Sequence, residues 1–181
     1  ALNILHFIFS LTDYENIIYS WGFIPAEFAV ITLITSMFLH GGIGHIFGNM
    51  LYLFIFGDNV EDKFGKIKFI LFYLGSGIAA ALVHYMTNPA SIVPTIGASG
   101  AISGVLGAYL VFYPHAKVNV ASQFGSGKVP AYILIGLWFI LQLISGFIDL
   151  FGFGSGGIAF WAHVGGFVFG YALTWLYSKV K

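Results

Sequence analysis

The chain of 181 residues is 59% hydrophobic and 8% charged, with a mean hydropathy of +0.91, far above what burial of one water-soluble core requires. This is the composition of a membrane protein, and at about 20 apolar residues per crossing its length allows about six spans with short loops and no second, soluble domain. The lack of cysteine excludes disulfides and thiolate metal sites, and seven lysines against seven acids, with no arginine, leave no basic patch for nucleic acid.

Ala1 to Leu11 is apolar but covers only about 16 Å as a helix, half a bilayer. It reads as a spanning helix whose start precedes the sequence, because the charged n-region and small-residue cleavage site of a signal peptide are missing. Thr12 to Glu27, with Asp13, Glu15, Trp21, Pro25 and Glu27, has the composition of a loop at the water interface. The run Phe28 to Leu39 is too short to cross. Five better spans follow, at about Ile43 to Phe56, Ile67 to Met86, Ile96 to Tyr113, Ala131 to Ile148 and Ile158 to Tyr177. Between them lie the polar Asp58 to Lys66, the Asn88-Pro89 and Pro94 turn, the long Pro114 to Pro130 connection and the glycine-rich Gly152 to Gly157. The expected fold is therefore an all-α polytopic membrane protein of six transmembrane helices, the first incomplete, forming a single domain over 1–181.

Lysines give the orientation, since cytoplasmic loops collect positive charge. Lys63, Lys66 and Lys68, then Lys117 and Lys128, then Lys179 and Lys181 fall in segments that alternate crossings place on one side. That side, with the C-terminus, is the cytoplasmic one of what reads as a prokaryotic inner membrane.

Polar residues within apolar helices are functional candidates, because hydrocarbon offers them no partner. Here they are His45, Asn49, Ser99, Ser103, Gln142 and His163. The helices carrying His45 and Asn49, Ser99, and His163 all enter from outside, so four polar side chains on three helices share a depth below the outer surface. His45 and Asn49, spaced i, i+4, also share a face. Gly97, Gly100, Gly104, Gly107 and Ala108 line the Ser99 helix with small residues, and Ala162, Gly166 and Gly170 give small-xxx-small spacing beside His163. Such positions let helix backbones approach within reach of a Ser–His hydrogen bond.

Each residue has a plainer reading. A serine among glycines is ordinarily a packing residue, and His45 with Asn49 could be hydrogen-bonding glue between helices. His84 and His115 read as interfacial anchors, and Gln142 and Ser103 as structural. The joint placement of a nucleophile, a base and two donors at one level favours chemistry. Other chemistries fit less well. No His-Glu-x-x-His occurs, Asp58 and Asp149 lie at opposite membrane ends, and a zinc site of His40, His45 and His163 would leave Ser99 and Asn49 unexplained. Gly97-Ala98-Ser99-Gly100 is not the nucleophile elbow of soluble hydrolases, since no strand precedes it.

From Ser36 onward the chain resembles the rhomboid intramembrane serine proteases. The resemblance rests on Met37-Phe38-Leu39-His40-Gly41-Gly42, His45-x-x-x-Asn49, Gly57-Asp58-Asn59-Val60-Glu61-Asp62, Gly97-Ala98-Ser99-Gly100 and Ala162-His163-Val164-Gly165-Gly166 with Gly170, in that order. It implies a six-helix core and a serine-type endopeptidase that cleaves transmembrane segments of single-pass proteins near the outer face, with lipid as its surroundings. It further implies a Ser-His dyad of Ser99 and His163, and an oxyanion hole of His45, Asn49 and the backbone at Ala98 and Ser99. Neither cofactor nor metal is implied. Two positions depart from the family: Ile31-Thr32 stands where many members carry Trp-Arg, and Ser103 where some place a Tyr against the histidine ring, so orientation of His163 must come from other contacts. Gly152 to Gly157 is the expected mobile cap. The alternatives are a non-catalytic relative that binds membrane clients and a small transporter. Inactive relatives lack the Ser or the His, and a transporter would show discontinuous helix pairs or repeats, which are not found.

Overall fold

A computed structural model describes residues 14–122, 125–153 and 157–180. The apolar segment Ala1 to Leu11 lies outside them. The described chain is mostly helical. A short helix α1 (Tyr14–Trp21) and a 3-10 turn (Pro25–Glu27) occupy the stretch expected as an interfacial loop. They are followed by α2 (Thr32–Thr35) running into a second 3-10 turn (Ser36–Phe38). The longer helices are α3 (Ile43–Phe64), α4 (Lys66–Thr87), α5 (Ser99–Phe112), α6 (Ala131–Leu150) and α7 (Phe160–Val180). Between α5 and α6 an antiparallel hairpin pairs β1 (Lys117–Ser122) with β2 (Gly125–Pro130), Lys117 opposite Pro130.

Two boundaries differ from the sequence expectation. The polar stretch Asp58 to Lys66 does not break the chain at Asp58; α3 continues to Phe64, because Asp, Glu and Lys are tolerated in an aqueous helix end. The break is Gly65, whose φ of +79° a side chain would strain. The Pro114 to Pro130 connection contains a hairpin, consistent with the alternating Val118 and Val120.

By length and composition, α4 and α6 can each cross a membrane, and the pair Thr32–Phe38 with α3, bent by 98°, makes a third candidate. The expectation of six spans is therefore met only in part among the described residues. The 14 residues of α5 give about 21 Å, short of the roughly 30 Å hydrocarbon core.

Ridge-forming side chains are scarce where α5 meets its neighbours. Gly100 lies against Ala80 of α4, and a methyl group on Gly166 of α7 would collide with the Gly100 carbonyl. One on Gly170 would collide with the Gly104 backbone, so α5 and α7 touch main chain to main chain. All of α5 from Gly100 to Tyr109 is buried. Toward the lysine-bearing end the core fills with larger groups: Phe56, Val60, Phe64, Val105, Tyr109, Ile135 and Phe167. The Lys63 ammonium sits 5.4 Å from the Tyr113 ring and that of Lys68 5.6 Å from Tyr177, bringing lysines and aromatics of α3, α4, α5 and α7 to one end. At the opposite end the segments before α3 and α5 are stitched together. Phe23 and Thr95 exchange backbone hydrogen bonds of 3.0 and 2.8 Å, and the Ala26 N–H donates to Ser91 (3.0 Å).

Because backbone cannot give way as a flexible side chain can, Gly166→Ala should cost about 1–3 kcal/mol by forcing α5 and α7 apart. Gly136→Ala on α6, whose added methyl meets nothing within 4 Å, should be nearly neutral. Thermal unfolding of both variants in detergent checks this, and equal melting temperatures would contradict it.

Candidate active site

The close approach of α5 and α7 brings together residues 64 positions apart. Ser99 is the first residue of α5 and His163 lies in the first turn of α7. Their Oγ and Nε2 atoms are 2.8 Å apart, a hydrogen bond of ordinary length. The other ring nitrogen, Nδ1, is 2.8 Å from Oε1 of Gln142 on α6. A carbonyl oxygen only accepts, so the ring proton resides on Nδ1, and Nε2 accepts from the Ser99 hydroxyl. The Trp138 ring, one turn before Gln142 on α6, lies tilted beside the imidazole with centroids 6.1 Å apart.

Of the two residues beside His163 on α6, Gln142 is among the polar candidates of the sequence but reads there as structural, and Trp138 is not singled out by it. Gln142 carried the signal of a polar residue in an apolar helix, but its partner lies 21 residues away on another helix, beyond the reach of spacing rules. Together with Trp138 it supplies the contacts to His163 that the Ser103 position does not. Ser103 instead donates back to the Ser99 carbonyl at 2.6 Å, within its own helix.

His45 and Asn49 project from the first two turns of α3. The Gly41 N–H donates to His45 Nδ1 (3.2 Å), so the ring carries its proton on Nε2. That nitrogen faces Gly97: a Cβ built on Gly97 would stand 2.7 Å from His45 Nε2 and 3.7 Å from Asn49 Nδ2. Gly97, expected among the helix-packing glycines, precedes the helix with φ +119°, and its N–H donates to Ser36 (2.9 Å). Glycine at this position takes up that left-handed backbone conformation and leaves room for the imidazole. The Asn49 amide nitrogen is buried and has no hydrogen-bond partner among the described residues, a donor left for something else to use.

Ala98 is fully buried and caps α5, its carbonyl accepting from the Ile102 N–H (2.9 Å). The N–H groups of Ser99 to Ala101 precede that first bond and have no intrahelical acceptor. Ser99, His163, His45, Asn49 and Gly97 all line one cavity of about 950 Å³, which reaches Tyr14 and Glu15 of α1, Asp149 in the last turn of α6 and Ile158 beyond it.

His84, read as an interfacial anchor, is buried near the end of α4, lines the same cavity and lies 3.5 Å from the Asn88 amide. His115 is exposed, with its ring against Tyr132. His40 is buried with its ring 5.3 Å from that of His45, and among the described residues no three His, Cys, Asp or Glu side chains gather as metal ligands. Of the expected cap, 154–156 lie outside the described residues. Gly152, with φ +79°, ends α6, where the Phe153 N–H donates to Ile148 (3.1 Å).

Apolar helices, a bent helical pair and a polar site enclosed at one end of the bundle define an integral membrane protein. The Rhomboid domain profile matches residues 27–180, and the chain belongs to the rhomboid family. It is 32% identical over 149 residues to YdcA of Bacillus subtilis (strain 168), covering 82% of this chain and 68% of that one. It is 30% identical over 154 residues to Rhomboid protein 1, mitochondrial, of Saccharomyces cerevisiae (strain ATCC 204508 / S288c), covering 82% of this chain and 42% of the yeast protein. To Rhomboid protease GluP of Bacillus subtilis (strain 168) it is 32% identical over 139 residues, covering 77% of this chain and 24% of GluP. The chain thus spans about two thirds of YdcA and less than half of the other two.

If Gly97 is the seat of His45, Gly97→Ala should destabilise the protein by about 1–3 kcal/mol. In a His45→Ala background the same change should cost about 1 kcal/mol less, because the colliding ring is gone. Chemical denaturation of the four proteins of this cycle measures the difference, and strict additivity would contradict the assignment.

Proposed function

We propose that the chain is an intramembrane serine endopeptidase that hydrolyses peptide bonds in transmembrane segments of other membrane proteins. The observation that carries this reading is the 2.8 Å contact between Ser99 Oγ and His163 Nε2, with Gln142 Oε1 2.8 Å from the far ring nitrogen. Serine alone is a poor nucleophile. A neutral imidazole in hydrogen-bond reach lets it attack as it deprotonates.

In the proposed reaction Ser99 Oγ bonds to the substrate carbonyl carbon while its proton passes to His163 Nε2. The carbonyl oxygen becomes an oxyanion facing the free N–H of Ser99, with the Ala98–Ser99 peptide shaping the pocket, and the side-chain donors His45 Nε2–H and Asn49 Nδ2–H complete the hole. His163 then returns the proton to the departing amine, breaking the C–N bond and leaving an acyl-enzyme. A water, deprotonated by the same imidazole, releases the acid and restores the serine. The cavity supplies a route for that water.

The cleaved segment must unwind to expose its peptide bond, so single-pass proteins with helix-weakening residues near the outer face fit best. Lysines gathered at the far end of the bundle support an orientation with that end and the C-terminus cytoplasmic and the site toward the outer face of a prokaryotic inner membrane. On this reading the chain is one membrane domain of six crossings, with α5 and α7 among them.

Cleavage of a reporter membrane protein by purified protein in proteoliposomes tests the assignment. Ser99→Ala and His163→Ala should each reduce cleavage to background while remaining folded, and the double variant should be no worse, since the pair acts as a unit. Appreciable cleavage by Ser99→Ala would overturn the serine mechanism.

A further inference from the structure

We infer that Gln142 is a positioning residue: it acts through His163 as a neutral third member of the site, in the place a carboxylate occupies in soluble serine hydrolases. The inference rests on reading Ser99 and His163 as nucleophile and base.

A histidine that serves as base from Nε2 must carry its proton on Nδ1, and the group facing Nδ1 decides which tautomer is stable. Here that group is Gln142 Oε1 at 2.8 Å. With the oxygen toward the ring, the alternative tautomer would set a lone pair against a lone pair. The proton is thereby confined to Nδ1 and the Nε2 lone pair turned to Ser99. The ring plane is held as well. Trp138 and Gln142, spaced i, i+4, present one face of α6 to the imidazole, the indole beside the ring and the amide at its edge. His163 itself sits on α7 and Ser99 on α5, so the base is oriented by a third helix, whose outer end is tied to α7 where the Trp161 indole N–H donates to the Gly146 carbonyl (3.1 Å).

An amide suits this location better than a carboxylate would. Asp or Glu in an apolar helix would have to be desolvated in every state in which the imidazole is neutral, a cost large enough to protonate it. The amide supplies an acceptor with no net charge. When His163 takes the serine proton, the Oε1 dipole still points at the Nδ1–H and stabilises the cation, though less than a full charge would. Gln142 makes no contact with the Ser99 oxygen in the structure, so its effect falls on the proton-transfer steps rather than on holding substrate.

The test compares Gln142→Leu, Gln142→Met and Gln142→Glu with the parent in proteoliposomes, measuring kcat, KM and melting temperature. Leu and Met fill the volume without an acceptor. They should lower kcat by about 10- to 10²-fold, the usual cost of removing the group that orients a functional imidazole from its far nitrogen, with KM nearly unchanged. Gln142→Glu, which this apolar setting protonates, still offers a neutral carbonyl acceptor to Nδ1 and should lose less kcat than Leu or Met. A merely structural glutamine predicts otherwise, with kcat per folded molecule unchanged in all three and only the melting temperature moving. That pattern, or a Glu variant as impaired as Leu, would overturn the inference while leaving the protease reading intact. Should the parent itself fail to cleave any reporter, the protease reading is what fails. Should Gln142→Leu not fold, the Met and Glu pair carries the comparison.

Discussion

Within a bilayer, lipid tails are as apolar as leucine, so helices gain little by hiding apolar surface from their surroundings; they associate where backbones fit closely. The contact of α5 with α7 is such a fit, with Gly166 against the Gly100 carbonyl and Gly170 against the Gly104 backbone. Everything at the site depends on it. Ser99 stands at the start of one helix and His163 in the first turn of the other, and only a main-chain contact between them brings Oγ to 2.8 Å from Nε2. A conventional leucine seam would hold the axes at about 8–10 Å and leave the two side chains out of reach.

The same packing governs what surrounds the pair. Ser99 opens a helix, so unsatisfied backbone N–H groups lie beside its hydroxyl, and Gly97, two residues before it, makes room for His45. The side chains converging there are neutral amides, imidazoles and hydroxyls on four helices. That is the affordable form of polarity at depth, because each has a partner or faces the shared cavity. The proposed chemistry asks for a proton to move between two neutral groups and for a transient anion to be met by donors already in place. No ionised side chain has to be carried in the resting state.

How much of this was legible in the sequence varied with the physics involved. The spans of α4 and α6 are long apolar runs and read directly, whereas α5 at 14 residues reads as a helix but falls short of a full crossing by length. The end of α3 escapes a reading that treats charge as a stop, since Asp58, Glu61 and Lys63 are compatible with helix and the stop is the backbone conformation of Gly65. The hairpin is legible in principle from Val118 and Val120, but with glycines around Ser126 the stretch reads as no more than a long connection between helices. At the site, depth and small-residue spacing sufficed to gather Ser99, His163, His45 and Asn49 as candidates. They could not show that Gln142, one of the polar candidates, or Trp138 meets His163, since that depends on the rotation of α6 about its own axis. Nor could they separate Gly97, which seats a side chain, from Gly100 and Gly104, which seat helices.

The proposed pairing of nucleophile and base is tested most directly by where, and whether, a serine-directed electrophile bonds. Folded protein in detergent is treated with a fluorophosphonate and the adduct located by peptide mass spectrometry, in parallel with His163→Ala. The account predicts one adduct, on the Ser99 hydroxyl, formed at a rate that collapses when His163 is replaced, since the oxygen then has no base within reach. An adduct on another residue, or labelling of Ser99 at an unchanged rate without the imidazole, would contradict it.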